Sequence, residues 1–317
     1  MYLDLKTGYT CNNHCVHCVV EPDRVSMESA GLRHEATTTE VLAQIEAARA
    51  TGAGTVVLTG GEVTLRLDFM QLVEAALAAD LRVLIQTNGR RIAQHSAYLS
   101  PIPDRLVFAI AVHGPDAASH DAITRVTGSF DQTMLGIEAL HRDGHPVIGK
   151  IVMSRLNTNC TLRTLEHLSC AGVNRFIIAF PHALGFPDEL FTAVVPRYSE
   201  VAGELIECAR SADRAGWSLE LETVPCCVIA SAPEAWLRSR DVRVAVSEID
   251  AAFIRAPGHE SLLEWETERR RVKWKGAVCE RCLLDRACEG PWIEYVEKYG
   301  HEEFHAVEDP TLLAVLA

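Results

Sequence analysis

Thr10-Cys11-Asn12-Asn13-His14-Cys15-Val16-His17-Cys18 sets three cysteines at the spacing C-x3-C-x2-C, directly after a short apolar run, Tyr2-Leu3-Asp4-Leu5, that reads as a first strand. Thiolates converging from one loop can hold three irons of a four-iron cluster and leave the fourth iron without a protein ligand. Structural zinc sites favour C-x2-C pairs and four ligands that close a tetrahedron, so this spacing suits zinc poorly. Thiols that simply pack in a core are the remaining plain alternative.

Downstream of the loop, residues 21–36 are polar and punctuated by Pro22 and Gly31, which predicts an exposed loop. Thr37-Thr38-Thr39 then offers a cap for a helix carrying Val41, Leu42, Ile45 and Ala48 at helical spacing. Thr55-Val56-Val57-Leu58 is a continuously apolar strand of the kind buried on both faces. The alternation continues with a helix over about 68–79, strands at 83–85, 106–112, 147–152 and 176–179, and helices near 131–142 and 161–170. Regular β/α alternation predicts a parallel sheet covered by helices. Six such strands are fewer than the eight of a closed barrel, so the fold class is α/β with an incomplete, TIM-type (β/α)6 barrel. Chemistry in parallel α/β folds sits at the C-terminal strand ends. The cysteine loop, Gly60-Gly61-Glu62, Thr87-Asn88-Gly89 and His113-Gly114 all fall at such ends. From about residue 191 the pattern changes. A helical stretch, Tyr198–Arg214, is followed by a strand-like run, 217–224, then by charged, partly helical residues 233–275. These read as a smaller second domain built around its own cysteines.

Composition narrows the class. The chain has 317 residues, 48% of them hydrophobic and 23% charged, which is that of an ordinary globular protein. It has neither a secretory signal pattern nor an apolar run near the roughly 20 residues that a membrane span needs, so a cytoplasmic location is expected. A formal charge of −13 speaks against a nucleic-acid surface and is compatible with a cationic substrate. In a reducing compartment, 11 cysteines with clusters at Cys11/Cys15/Cys18 and Cys279/Cys282/Cys288 point to metal rather than to disulfides.

Together, the loop, the glycine pair and the strand order resemble the radical S-adenosylmethionine (SAM) superfamily over most of residues 1–180. The resemblance implies that Cys11, Cys15 and Cys18 bind a [4Fe–4S] cluster. It implies that Gly60, Gly61 and Glu62 position the amino group of SAM at the open iron. His17 stands where the family usually has a bulky aromatic near the adenine, and Val63 replaces a frequent proline after the glycine motif. Thr87, Asn88 and His113 fall where the family lines its SAM pocket, and Arg125 is a candidate partner for the SAM carboxylate. The implied chemistry is reductive cleavage of SAM to methionine and a 5′-deoxyadenosyl radical that takes a hydrogen atom from substrate, with flavodoxin or ferredoxin as the expected electron donor.

Cys279-x2-Cys282-x5-Cys288, followed by Gly290, resembles part of the auxiliary-cluster domains called SPASM and, in shortened form, twitch. No cysteine follows Cys288, which favours the shortened form with one auxiliary [4Fe–4S] cluster. Residues 1–190 are then the partial barrel, and 191–317 a linker helix and a C-terminal α+β iron–sulfur domain. Pro225-Cys226-Cys227 supplies the fourth ligand; Cys226, directly after the proline, fits the family pattern, with Cys227 as competitor. A non-ligating Cys227 is a candidate hydrogen-atom donor. Among the cysteines outside both clusters, Cys170 and Cys208 read as helix packing residues.

The expected function is a radical SAM oxidoreductase or epimerase that dehydrogenates or epimerises a small natural-product intermediate such as an amino sugar or aminocyclitol. Two alternatives stand beside it: a ribosomal-peptide maturase of the same superfamily, and a non-catalytic iron–sulfur or zinc protein. A cluster loop beginning at residue 11 leaves no room before it for a leader-binding domain, which tilts the expectation toward a small molecule.

Overall fold

Five- and six-residue runs rich in Val, Ile and Leu alternate with amphipathic helices, and the chain folds as that alternation dictates. The computed structural model describes residues 2–50, 52–99, 102, 105–242, 252–255, 257, 263–264 and 271–316, with 252–255 and 263–264 given by their backbone. The strands are Tyr2–Lys6 (β1), Thr55–Thr59 (β2), Arg82–Thr87 (β3), Leu106–Ala111 (β4), Val147–Val152 (β5), Arg175–Ala179 (β6) and Ser218–Glu222 (β7), with Ala252–Arg255 (β8) and Leu263–Glu264 (β9). They form one sheet in the order β7-β6-β5-β4-β3-β2-β1-β8-β9. Strands β1 to β7 lie in chain order and all pair in parallel, giving a half-barrel. β8 extends it in parallel beside β1, and β9 is antiparallel to β8.

The helices are Glu21–Ser29 (α1), Thr38–Ala50 (α2), Phe69–Ala78 (α3), Ala117–Thr124 (α4), Ser129–Arg142 (α5), Thr161–Cys170 (α6), Asp188–Val194 (α7), Tyr198–Ala215 (α8) and Ile293–Tyr299 (α9). A capping box starts α2: Thr37 Oγ1 accepts from the Glu40 N–H at 3.3 Å, and Glu40 Oε2 accepts from the Thr37 N–H at 2.6 Å. Leu5, Leu58 and Ile85, fully buried, join Ile45, Leu72 and Val73 of α2 and α3 in the core under the helices. Each such side chain contributes about 2 kcal/mol by leaving water.

Two expectations change. Residues 21–29 are a helix rather than part of a loop: Pro22 sits in its first turn, where a missing N–H costs nothing. Arg24 pairs with Glu21 and Glu28 along its surface, and none of its residues is buried. The strand-like run at 217–224 is not a strand of a separate unit but β7, hydrogen-bonded to β6. β8 and β9 add further strands from the 233–275 stretch; the remainder of the expected helical character there, at 243–251, 256, 258–262 and 265–270, lies outside the described residues.

The C-terminal segment docks on the β6 end of the sheet. Tyr295 of α9 accepts from the Tyr198 N–H at 3.0 Å, Phe180 stacks on Tyr198 at 3.9 Å, and Trp292 stacks on His182 at 3.9 Å. Among the described residues no helix is long and apolar enough to cross a membrane.

Candidate active site

The cysteine loop leaves the C-terminal end of β1 and is fastened on three sides by backbone hydrogen bonds. Gly61 and Glu62, just past β2, donate to Gly8 O and Thr10 O, both at 2.8 Å. On the far side, His14 and Val16 donate to Thr124 O and Ile123 O at the end of α4, both at 2.9 Å. Glu35 holds the entry, accepting from the N–H groups of Tyr9 and Thr10 at 3.0 and 2.7 Å. The glycine pair is required by this contact. A Cβ on Gly60 would lie 2.2 Å from Gly8 O and one on Gly61 2.2 Å from Thr10 O, and Gly60 also holds φ = +126°.

Glu62 is only 3% exposed, and its carboxylate is held between two strand ends. Oε1 accepts from Thr64 N, Thr64 Oγ1 and Thr87 Oγ1 at 3.0, 2.5 and 2.7 Å; Oε2 accepts from Asn88 N at 2.7 Å. Oε1 is crowded by three donors, whereas Oε2 has one and retains a lone pair for another, such as an ammonium group.

Cys11, Cys15 and Cys18 are free, half-buried thiols. Burial is the main cause that pushes Cys11 up to about 11 and Cys15 up to about 12, with the other loop thiols adding to the rise. Three close thiols whose charged forms repel one another until a cation binds are a donor set suited to a metal centre. Cys11 Sγ accepts from the Asn13 N–H at 3.4 Å, and Asn88 Nδ2 approaches it at 3.9 Å while donating to Asn12 Oδ1 at 2.7 Å.

His17 and His113 meet edge to face at 4.5 Å, and His113 lies over His120 at 5.8 Å. Ligand atoms of Cys15, His17 and His113 lie within 4.8 Å of one another. Burial pushes His17 and His120 down to about 4 and lowers His113 as well, so the trio is neutral near pH 7. The structure thus brings Gly60, Gly61, Glu62, Thr87, Asn88, His17 and His113 around the three cysteines. Arg125 is exposed and closes α4 in the left-handed conformation (φ = 57°), next to Thr124, whose carbonyl accepts from His14 of the loop.

Sequence reading missed the residues that fix the loop. Arg90 donates to Asn12 O and, at 2.8 Å, to Asn13 Oδ1, and its Nε is held by Gln132 at 2.8 Å. Asp121 gathers the start of α5 through Gly128 N, Ser129 Oγ and Phe130 N at 2.6, 2.7 and 2.9 Å. Neither residue has a periodic or motif signature; both are tertiary contacts.

The barrel's inner face is also polar. Leu3 and Leu5 of β1 and Leu219 and Leu221 of β7 pack toward the helices. Asp4, Lys6, Glu220 and Glu222 therefore point the other way, as strand alternation requires. Lys6 pairs with Asp4 at 2.8 Å and Lys150 of β5 with Glu222 at 3.2 Å, each side chain 21–24% exposed. Thr59 donates to Gln86 at 3.1 Å between these pairs.

A second pocket gathers Cys226, Cys227, Cys279, Cys282 and Cys288, walled by Trp274, Phe304 and His305. Cys226 is buried, whereas Cys227 and the C-terminal trio are half-buried. The Cys226 N–H donates to Cys288 Sγ at 3.5 Å, and Val307 N–H to Cys282 Sγ at 3.4 Å. The neighbouring Cys288 side chain, together with burial, pushes the Cys226 thiol well up, and Cys226 in turn pulls Cys288 down. Lys275, held by Asp285 at 2.7 Å, adds a positive charge beside Cys288 and Cys279. Of the other cysteines, Cys208 is fully buried in α8 as a packing residue, but Cys170 is exposed at the end of α6.

A family model for the radical SAM superfamily matches residues 5–168. Among curated relatives, an AdoMet-dependent heme synthase of Methanosarcina barkeri is 27% identical over 179 residues, covering 56% of this chain and 50% of that protein. The mycofactocin maturase MftC of Mycobacterium tuberculosis is 33% identical over 152 residues, covering 47% of this chain and 37% of that protein. The chain thus spans about half the length, or less, of the curated relatives it matches. Among solved structures, Streptococcus suis SuiB bound to the precursor peptide SuiA superposes with a TM-score of 0.65 at 14% identity, over 98% of this chain and 75% of that one. Native anSMEcpe with bound AdoMet and a peptide gives 0.64 at 12% identity, over 99% of this chain and 94% of that one. At such identities the likeness is one of fold.

Proposed function

This chain belongs to the radical SAM superfamily, whose cofactors are a [4Fe–4S] cluster and SAM, and from that premise we propose that it generates a 5′-deoxyadenosyl radical and uses it to dehydrogenate or epimerise a small, polar biosynthetic intermediate such as an amino sugar or aminocyclitol. The observation that carries the substrate reading is the inner face of the barrel. Lys6 and Asp4 of β1, the strand that leads into the cysteine loop, and Lys150 and Glu222 of β5 and β7 are paired but still partly accessible. Ion pairs of this kind suit hydroxyls and ammonium groups, whereas an apolar guest would displace their water without replacing its hydrogen bonds.

When bound, the reduced cluster and SAM supply an electron and a sulfonium whose C–S bond breaks to give the radical. The chain's own residues do the rest. Cys11, Cys15 and Cys18 would hold three irons. Oε2 of Glu62, already aligned by Asn88 N, would accept from the SAM ammonium. His17 and His113, neutral and nearly dry, would offer flat ring surface and exclude water near the adenosyl group. Flavodoxin or ferredoxin would deliver the electron, in the cytoplasm.

Cys279, Cys282, Cys288 and a cysteine of the 226–227 pair fit an auxiliary [4Fe–4S] cluster, because five sulfurs line one pocket and thiolate is the usual protein ligand of such clusters. Such a centre suits dehydrogenation, which has a second electron to remove. Epimerisation instead needs a thiol donor, for which Cys227 is the candidate, and would carry solvent deuterium into the product. A second reading, modification of a ribosomal peptide, is favoured by the 33% identity to mycofactocin maturase.

The test is anaerobic reconstitution with iron, sulfide, dithionite and SAM, followed by assay of 5′-deoxyadenosine and methionine. A panel of amino sugars and aminocyclitols is expected to stimulate both products above the substrate-free level, and a peptide panel is not. Stimulation by peptide alone would transfer the reading to peptide maturation. No cleavage product under any condition would leave a non-catalytic iron–sulfur protein.

A further inference from the structure

Register arranges the inward side chains of the half-barrel in layers. Asp4 of β1 is level with Val57 and Leu84, and Gln86 stands two residues further along β3. Gln86 is level with Ala109 and Ile148, and Lys150 stands two residues further along β5. Lys150 is level with Ile177 and Glu220, and Glu222 stands two residues further along β7. Two residues for every two strands is the stagger of a barrel whose shear equals its strand number, and in such a barrel alternate strands share one layer. The Lys150–Glu222 pair, 3.2 Å apart across β6, displays that stagger directly. Asp4, Gln86, Lys150 and Glu222 therefore make one layer.

We propose that this layer is the floor of the substrate site, that it grips the end of the substrate remote from the atom attacked, and that it selects a substrate with an ammonium group, held on the β7 side by Glu222. The proposal rests on the reading of a small polar substrate, and adds which residues hold it and which way round it lies.

Three observations carry it. First, closed barrels fill such layers mostly with Val, Ile and Leu, whereas this one holds two carboxylates, an ammonium and an amide. Asp4, Lys150 and Glu222 are each 21–24% exposed, so water reaches them. A packed core would strip that water at a large desolvation cost. Second, the next inward layer toward the cysteine loop is small: Thr59, Ala111 and Ala179, from the strands between. The two alanines end at Cβ and leave the space over the floor open. Above them Asn88, just past β3, donates to Asn12 of the cysteine loop at 2.7 Å. Gln86 and Asn88 are two residues apart, about 7 Å along the chain, a depth that suits one substituted six-membered ring. One side of the ring then faces the loop, where its hydrogen atom is taken, and the other rests on the floor.

Third, the two ends of the floor differ. On β1, Asp4 is answered by Lys6 of its own strand at 2.8 Å. On β7, strand alternation turns both Glu220 and Glu222 inward. Lys150 and Arg240 lie beside them, and Arg240 also donates to the Tyr2 hydroxyl at 3.4 Å. Carboxylates two residues apart on one face repel each other, and an added cation relieves that repulsion. The ammonium group of the substrate therefore belongs on β7 and its hydroxyls over Gln86 and Lys150.

The experiment uses the full chain, reconstituted anaerobically and kept oxidised so that probes bind without turnover. Calorimetry in the presence of SAM compares glucosamine, kanosamine and streptamine, each with its N-acetyl form. Wild type is expected to bind at least one amine about tenfold or more tightly than the acetylated form. Glu222→Gln is expected to abolish that preference by weakening the amine alone. Ala111→Leu, which fills the layer over the floor without touching a charge, is expected to weaken both forms alike. Wild-type iron content and a SAM-perturbed EPR signal certify each variant as folded, and Ala179→Val makes the same test if Ala111→Leu fails that check. An amine preference that survives Glu222→Gln, or unchanged affinities in the filled-layer variants, overturns the floor while the substrate reading stands. Equal binding of amine and acetylated forms to wild type overturns the ammonium claim. Wild type that binds none of the probes in either form overturns the substrate reading itself, and the floor with it.

Discussion

In the N-terminal site three cysteines come from one loop, stitched by backbone hydrogen bonds to the ends of β1 and β2 and to α4. In the C-terminal site five come from two segments, 226–227 and 279–288, brought together by the packing of Trp236, Trp274 and Phe304. The first site is specified locally and then clamped; the second exists only once the chain has folded. Local specification leaves no spare ligand and a fixed vacancy. Assembly from distant segments gathers five cysteines, so the fold and not the spacing decides which of them meet.

Breaking the local site has the largest expected effect. Cys15→Ala should reduce 5′-deoxyadenosine formation by more than about a hundredfold, as for a member of a group that acts as a unit. Iron at the C-terminal pocket should persist, and its loss would mean that the two sites are not built independently. Gly61→Ala comes next. Its Cβ would fall 2.2 Å from Thr10 O, a backbone atom that moves only with the whole loop. Overpacking of that kind costs roughly 3 kcal/mol, so thermal unfolding should begin several degrees lower and N-terminal iron occupancy should drop. Unchanged iron and Tm would contradict the close backbone approach described here.

Glu62→Gln is a milder change, since it keeps shape and replaces an acceptor by a donor that faces N–H and O–H groups. Leaving one buried partner unsatisfied costs about 2 kcal/mol, and the SAM concentration at half-maximal cleavage should rise roughly tenfold or more. Glu62→Asp, too short to reach both Thr87 and Asn88, should not rescue it. A variant with wild-type SAM dependence would remove Glu62 from the site.

The contrast between the two sites also governs what can be read from residues alone. Strands β1 to β6 were legible because each is a short apolar run bounded by turn residues, and the three-cysteine loop because its ligands are close in sequence. β7 was not counted among the parallel strands for a physical reason. Glu220 and Glu222 face the polar interior of the barrel, so Trp217–Glu222 alternates like a half-exposed strand instead of a buried parallel one. Pro22 reads as a loop breaker unless it is known to sit in the first turn of α1. The contacts of Arg90 and Glu35 with the loop span 78 and 25–26 positions, and no spacing rule reaches that far. Cys226 and Cys227 are neighbours that both line the C-terminal pocket, and sequence separates them only by the proline before Cys226.

The smallest expected effect sharpens the comparison most, because it touches the assembled site without touching a sulfur. Trp236 is fully buried, and its Nε1 donates to Cys226 O at 2.9 Å, fixing the turn that presents Cys227. Trp236→Phe removes that donor and leaves a buried carbonyl without it, at a cost of about 1 kcal/mol, with a further contribution from the smaller ring. If the C-terminal site depends on tertiary packing for its geometry, the auxiliary iron should fall or become more easily chelated in this variant. The N-terminal site, whose cysteines share one loop tied by backbone hydrogen bonds to the end of β2 and to α4, should keep its iron and its SAM-dependent signal. Chelation kinetics followed at the two clusters in the same sample give the answer: selective weakening of the auxiliary site upholds the distinction, and parallel weakening of both would mean that the half-barrel and its C-terminal segment lose structure as one unit.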